Sequence, residues 1–444
     1  MKITAIIIAR HNSGRLPEKH NRMIGDKTMM KWIIDRCQPA NHIVIATTND
    51  SLYYYDKYKL YSDIPVSVIA PLYDDNNIAG RIHALSLTPK LDSDYYISIS
   101  GDCPLVDWDI VLKLVNELDK YKDYHAIIGN FTYQCGIDIY TKEAMKFMIY
   151  GENLDPRLIP GLNVLEVPID DKIDMFARLT VDNHADLALQ RELFRKLGDN
   201  YDYKHVLELI YTHDDIFKLN DHVGQRKPGD ISKNVNIITE GNNKIGMGHV
   251  ARSIGIAQYY SECCNDNVRI YINNNPDVIS MLERYGYERG LDYFIGIPVD
   301  IVDTYSNTIF IHDTYIRTTL DYSKIYLENP VFGVNLRYKY PIRPIESDVL
   351  VSFGQGDYKK YGEIIFNKLV DKNKLFVYNE PSLLPYLKGT KRVITVWSNT
   401  AREAIICGLV PECYSANEID DFICEELDEK GVIKWIGKLN SILN

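Results

Sequence analysis

Short apolar runs alternate with amphipathic stretches along this chain, and the alternation begins at its third residue. ITAIIIAR (3–10), HIVIAT (42–47), PVSVIA (65–70) and YYISIS (95–100) are short and nearly continuous in apolar residues. That is the pattern of strands buried on both faces. Between the first two, MMKWIIDRC (29–37) sets Met29, Met30, Ile33, Ile34 and Cys37 on one helical face. DWDIVLKLVNELDKY does the same with Val111, Leu114, Val115 and Leu118, and Asp107 is placed to cap its start. Strands and helices in alternation predict an α/β fold with a doubly wound, mostly parallel sheet.

The pattern restarts at NVNIITEG (234–241) and continues through RIYINN, TIFIHD, DVLVSFG, KLFVY and RVITVW. This second series predicts two small Rossmann-like lobes, about 234–345 and 346–444. The intervening HDDIFKLNDHVGQRKPGDISK (213–233) is polar and carries Gly and Pro. The expected organisation is a first domain over 1–215, a linker over 216–233 and a second domain over 234–444. A length of 444 residues agrees with two cores rather than one.

Composition narrows the function classes. Charged residues make up 25% and hydrophobic residues 45%, with a formal net charge of −11. That balance argues against nucleic acid or an anionic membrane as the main partner, while leaving anionic small molecules open. No apolar run approaches the roughly 18 residues of a membrane span, and residues 1–10 begin a strand without a leader pattern. The eight cysteines include one adjacent pair, Cys263–Cys264, and no C-x-x-C or Cys/His metal spacing. Reduced thiols and a cytoplasmic location are expected.

Candidate chemistry gathers where strands end. After the first strand comes Arg10-His11-Asn12-Ser13-Gly14-Arg15-Leu16-Pro17-Glu18-Lys19. Arg10, Arg15 and Lys19 supply positive charge, Ser13 a hydroxyl and Gly14 a close backbone approach, as a triphosphate requires. The spacing is not that of a Walker P-loop, and a solvated basic loop is the alternative. Asp102 follows the run YYISIS within SISGDCPLVD, and Asp182 is expected to end a strand within FARLTVDNHADL. Two such carboxylates can share one Mg²⁺ with substrate phosphates, although a lone Asp102 would serve equally well as a turn cap. His184, beside Asp182, reads better as a surface or satisfied histidine.

The strings AIIIARHNSGRLPEK, GDCPL and RLTVDNHADL, in that order, resemble the cytidylyltransferases that make CMP-activated nonulosonic acids, particularly the spore-coat polysaccharide type. The resemblance spans roughly residues 1–210. It implies that Arg10, Arg15 and Lys19 hold the triphosphate of CTP and that Asp102 and Asp182 hold Mg²⁺. DDNNIAGRI (74–82) is similar to the nucleoside-side loop, which adds Arg81. The implied reaction is attack of a sugar hydroxyl on the α-phosphorus, expelling pyrophosphate. CGIDIYT keeps Asp138 of a family motif but has Tyr140 where Glu is usual, so the acceptor side departs from the pattern. A homodimer is a further implication of the resemblance.

In the second half, KIGMGHVARS places Gly246 and Gly248 between a strand and a helix, with His249 at the helix start. This stretch resembles the I-G-x-G-H-V-x-R hallmark of the UDP-sugar hydrolases of pseudaminic-acid biosynthesis, relatives of GT-B glycosyltransferases. The resemblance implies a GT-B-like pair of lobes and a UDP-sugar substrate, with His249 as general base. Asp313 after TIFIH is a further candidate. The diphosphate turn G-G-S-T-x-W-E is replaced by Trp397-Ser398-Asn399-Thr400-Ala401-Arg402-Glu403, which retains Thr400 and Glu403 and loses both glycines. The leading expectation is a bifunctional enzyme of acidic-sugar biosynthesis. The alternative is a cytidylyltransferase for another acidic acceptor, such as a phosphonate, with a non-catalytic second domain.

Overall fold

The computed structural model describes residues 1–11, 13–70, 82–85, 88, 91–129, 137–148, 156–167, 178–224, 231–242, 247–288, 292–296, 308–312, 334, 343–353, 358–378 and 383–443. The chain divides into two compact units, Met1–His222 and Val223–Asn444. Among the described residues no helix is long and apolar enough to cross a membrane.

Among the described residues the main sheet of the first unit has seven strands: β1 (Ile3–Ile8), β2 (His42–Ala46), β3 (Val66–Ile69), β4 (Tyr95–Ser100), β5 (Ala126–Gly129), β6 (Ile137–Thr141) and β7 (Val164–Val167). Their order in the sheet is β3-β2-β1-β4-β6-β5-β7. Strands β1 to β4 pair in parallel, whereas β6 runs antiparallel to both β4 and β5. The sheet is therefore mixed around one reversed strand.

Alternation along each buried strand explains the two-sided core. Ala5, Ile7, Ile43 and Ile45 pack on one face with α1 (Met29–Arg36) and α2 (Trp108–Lys120), while Ile6, Val44 and Ala46 pack on the other. Each helix begins where a polar side chain satisfies its free N–H groups. Thr28 accepts from Lys31, and Asp107 accepts from Asp109 and Ile110. Two further helices, α3 (His184–Leu197) and α4 (Tyr203–Thr212), close the unit.

The second unit holds two parallel sheets. The first joins β8 (Asn234–Thr239), β9 (Asn267–Ile272), β10 (Tyr293–Ile295) and β11 (Thr308–His312) in the order β10-β9-β8-β11. The second joins β12 (Ser347–Val351), β13 (Lys374–Phe376), β14 (Thr390–Val396), β15 (Glu412–Ser415) and β16 (Lys434–Lys438) in the order β13-β12-β14-β15-β16. Helix α5 (Gly248–Gln258) follows β8, and α6 (Asn399–Ile406) follows β14. Their cores merge: Val250 and Ile254 share one apolar cluster with Trp397 and Ala401.

Candidate active site of the first unit

In the first sheet the strand order reverses between β1 and β4, which pair directly. The carboxyl ends of two such neighbours frame the crevice where open α/β sheets hold ligands. The 9–19 loop leaves β1 there, and Gly101-Asp102 leaves β4 beside it.

Close approach fixes the β4 turn. Gly101 donates its N–H to the Ile8 carbonyl at 2.9 Å. A Cβ at this position would fall 2.5 Å from that oxygen and 2.8 Å from His20 Nε2, so only glycine fits. His20 is buried beneath the loop, with Nδ1 2.8 Å from the Tyr55 hydroxyl. Burial, reinforced by Lys19, pulls the His20 imidazole down to about 3, which keeps it neutral.

Lys19 is the hub. Its Nζ lies 3.4 Å from Asp102 Oδ2 and 3.2 Å from Asp182 Oδ1, and it donates to the Val181 carbonyl at 3.1 Å. Arg15 Nη2 reaches the same Asp182 oxygen at 3.2 Å. Asp102 also accepts from the Ser100 hydroxyl, and its carbonyl takes the Val181 N–H at 2.8 Å. Burial works against the charge on Lys19, but Asp102 and Asp182 outweigh it and raise its pKa. Burial likewise opposes ionisation of Asp182, yet Lys19, Arg15 and Arg178 hold its carboxyl well below the usual range.

Asp182 reaches this point by a route other than the expected one. Arg178–Asn183 is not a strand in the structure. Asn183 caps α3, its side chain accepting the Asp186 N–H at 3.0 Å, and Asp182 stands immediately before that cap. The apolar pattern of LTV reflects burial of Leu179 and Val181 in the core rather than strand pairing. Asp102 similarly sits in the turn two residues beyond β4.

The other residues singled out in the loop fall around this cluster. Arg10 and Gly14 are exposed, and the Ser13 hydroxyl accepts the Leu16 N–H at 3.4 Å. His11 stacks on Tyr54 with ring centroids 3.2 Å apart. Asp138 is on β6, paired with Ser98 of β4, and His184 opens α3. Arg81 lies outside the described residues, as do Gly246 and Asp313.

Sequence reasoning missed Arg178, Asp186 and Asn220. Arg178 Nη2 contacts Asp182 Oδ2 at 2.6 Å, and its Nε meets both Asp186 oxygens at 3.1 and 3.2 Å. Asp186 and Asn220 are each 1% exposed. Burial pushes the Asp186 carboxyl up to about 6, with Arg178 pulling the other way. Arg178 and Asp186 both stand in the RLTVDNHADL string that carries the resemblance, but neither has a role readable from the sequence alone.

The donor set suits a hard divalent cation. Asp102 and Asp182 already converge on one point, the position of the Lys19 ammonium, and both offer carboxylate oxygens, the ligands Mg²⁺ prefers. Two protein carboxylates leave most of a cation's shell to phosphates and water.

In the second unit Gly248 and His249 form the first turn of α5, and Arg252 Nη2 lies 3.1 Å from His249 Nδ1. Asn399, at the start of α6, donates to the Gly248 carbonyl at 3.0 Å. Thr400 is buried and Glu403 half-buried on α6.

Residues 4–149 match the family model described as Cytidylyltransferase. The chain is 28% identical over 126 residues to a 3-deoxy-manno-octulosonate cytidylyltransferase of Fusobacterium nucleatum, covering 28% of this chain and 49% of that one. It is 27% identical over 149 residues to a molybdenum cofactor guanylyltransferase of a Shewanella species, covering 33% of this chain and 71% of that one. The chain thus spans about half the length of the first relative. A solved cytidylyltransferase from Leptospira borgpetersenii aligns with a TM-score of 0.40 and 21% identity, covering 49% of this chain and 97% of that one.

Proposed function

We propose that the first unit transfers CMP from CTP to an acidic sugar with release of pyrophosphate. The observation that carries this reading is the convergence of Arg15 and Lys19 with Asp102 and Asp182 at the sheet's reversal point. The family match over residues 4–149 and the name of the Fusobacterium relative support CTP as the nucleotide and a sugar acid as the acceptor.

In this reading Arg15 and Lys19 exchange their carboxylate partners for phosphate oxygens when CTP binds. Asp102 and Asp182 would hold Mg²⁺, which supplies charge neutralisation on the phosphates. The acceptor hydroxyl loses its proton to water and forms a bond to the α-phosphorus as the bond to the pyrophosphate oxygen breaks. Arg15 and Lys19 stabilise the negative charge that develops on the phosphate oxygens. Incubating the full chain with CTP, Mg²⁺ and candidate acceptors, followed by mass spectrometry, tests the acceptor. A CMP adduct of a sugar acid supports the reading. An adduct formed only with a phosphonate or another acid would replace the acceptor and retain the transfer.

For the second unit we infer a nucleotide-sugar site where the starts of α5 and α6 meet, and binding is favoured over hydrolysis. Arg252 takes up the Nδ1 lone pair of His249. A neutral His249 then carries its proton on Nε2 and offers a donor to a phosphate rather than a base to water. Calorimetry with UDP-sugars on the full chain, together with assay of free UDP, separates the two. Binding without UDP release supports this reading, and turnover lost in His249→Ala would restore the hydrolase.

A further inference from the structure

We propose that Arg178 and Asp186 are positioning residues that orient Asp182 and set the affinity of the site for its divalent cation. This rests on the cytidylyl-transfer reading above.

Asp182 is held on both oxygens, by cations from different parts of the chain. Lys19 and Arg15 share Oδ1, each at 3.2 Å, and both belong to the 9–19 loop. Arg178 takes Oδ2, at 2.6 Å. The Arg178 guanidinium is tied to the buried Asp186 through Nε. Its main-chain carbonyl accepts from Asn220 Nδ2 at 2.8 Å, and the same amide nitrogen donates to Asp186 Oδ1 at 2.8 Å. Asp186 Oδ2 also takes the Asp182 N–H at 2.9 Å, so both the backbone and the side chain of Asp182 are fixed from one buried carboxylate.

Two consequences follow. When phosphates draw Lys19 and Arg15 away, Oδ1 is released while Oδ2 stays on Arg178. Asp182 would then present Oδ1, the oxygen that already shares the Lys19 ammonium with Asp102, toward a divalent cation. Asp186 also offsets the charge of Arg178. Without it, more of the Arg178 charge falls on Asp182, which weakens metal binding there while favouring a polyanion.

The test is binding of Mn²⁺ to the full chain with saturating CTP at pH 8, followed by the electron paramagnetic resonance of free Mn²⁺. CTP affinity without metal and the melting temperature are measured alongside. Asp186→Asn is expected to raise the Mn²⁺ dissociation constant about tenfold, the usual cost of losing a group behind a metal ligand, with CTP affinity equal or tighter. Arg178→Lys, which keeps the charge but cannot reach both carboxylates, is expected to weaken Mn²⁺ similarly and serves if Asp186→Asn does not fold. Unchanged Mn²⁺ affinity in a folded variant, or equal weakening of Mn²⁺ and CTP, overturns the proposal alone. A wild-type chain that binds neither CTP nor Mn²⁺ overturns the transfer reading and this proposal with it.

Discussion

Lys19 Nζ lies 3.2 Å from Asp182 Oδ1 across 163 residues of sequence, and it fills the point on which Asp182 and Asp102 converge. The ammonium is a resident counter-ion for two carboxylates that are costly to leave unpaired in a part-buried crevice. The same side chain is thus a stability element in the nucleotide-free protein and a phosphate ligand in the proposed reaction.

Lys19→Met separates these roles. Pyrophosphate release from CTP falls about 100-fold or more, the scale for removing one preorganised charge from a phosphoryl-transfer site. Mn²⁺ binds the nucleotide-free variant more tightly than the nucleotide-free wild type, because Asp102 and Asp182 lose their internal cation. Titration of Mn²⁺ by electron paramagnetic resonance reads this, and a weaker affinity in the variant would contradict it.

Asp102→Asn and Asp182→Asn each remove one charge from the proposed cation site. Release of pyrophosphate is expected to drop to a few per cent of wild type or less in both. Retention of a larger fraction by a folded variant, at saturating CTP and Mg²⁺, would remove that residue from the site.

Gly101→Ala forces a methyl group against the Ile8 carbonyl and the His20 ring. The expected cost is about 1–3 kcal/mol of first-unit stability, as for overpacking elsewhere, with a loss of CTP affinity because Asp102 is the next residue. Urea unfolding measures the first effect, and a variant as stable as wild type would mean that the β1–β4 junction is looser than described.

His20 makes the first unit sensitive to acid. The unfolded chain takes up a proton near pH 6.5, whereas burial holds the folded imidazole neutral down to about 3. Stability therefore falls as pH drops through that window, by up to about 1.4 kcal/mol per pH unit from this group. Denaturant unfolding at pH 7.5 and pH 5 should give a smaller difference for His20→Gln than for wild type. Equal differences would assign the acid sensitivity elsewhere.

The two-sided cores of the first sheet were legible because β1, β2 and β4 are nearly continuous apolar runs, and the basic loop was legible because Arg10, Arg15 and Lys19 follow β1 ahead of α1. What escaped the sequence depends on long-range contact. Asp182 reads as a strand end, since LTV is apolar, yet its position is set by the Asn183 cap and the Asp102–Val181 backbone bond. The Arg178–Asp186 pair is closed by Asn220, 42 residues from Arg178 in a segment read as linker. The reversal of β6 is equally invisible in IDIYT, because a buried strand has the same pattern in either direction.

Pyrophosphate release tests the central claim most directly, measured on the full chain with Mg²⁺, a panel of sugar acids and each of CTP, UTP, ATP and GTP in turn. The account predicts release with CTP and at least one sugar acid, and none above background with the other three nucleotides. Release with no member of the panel, or equal release with GTP, would contradict it.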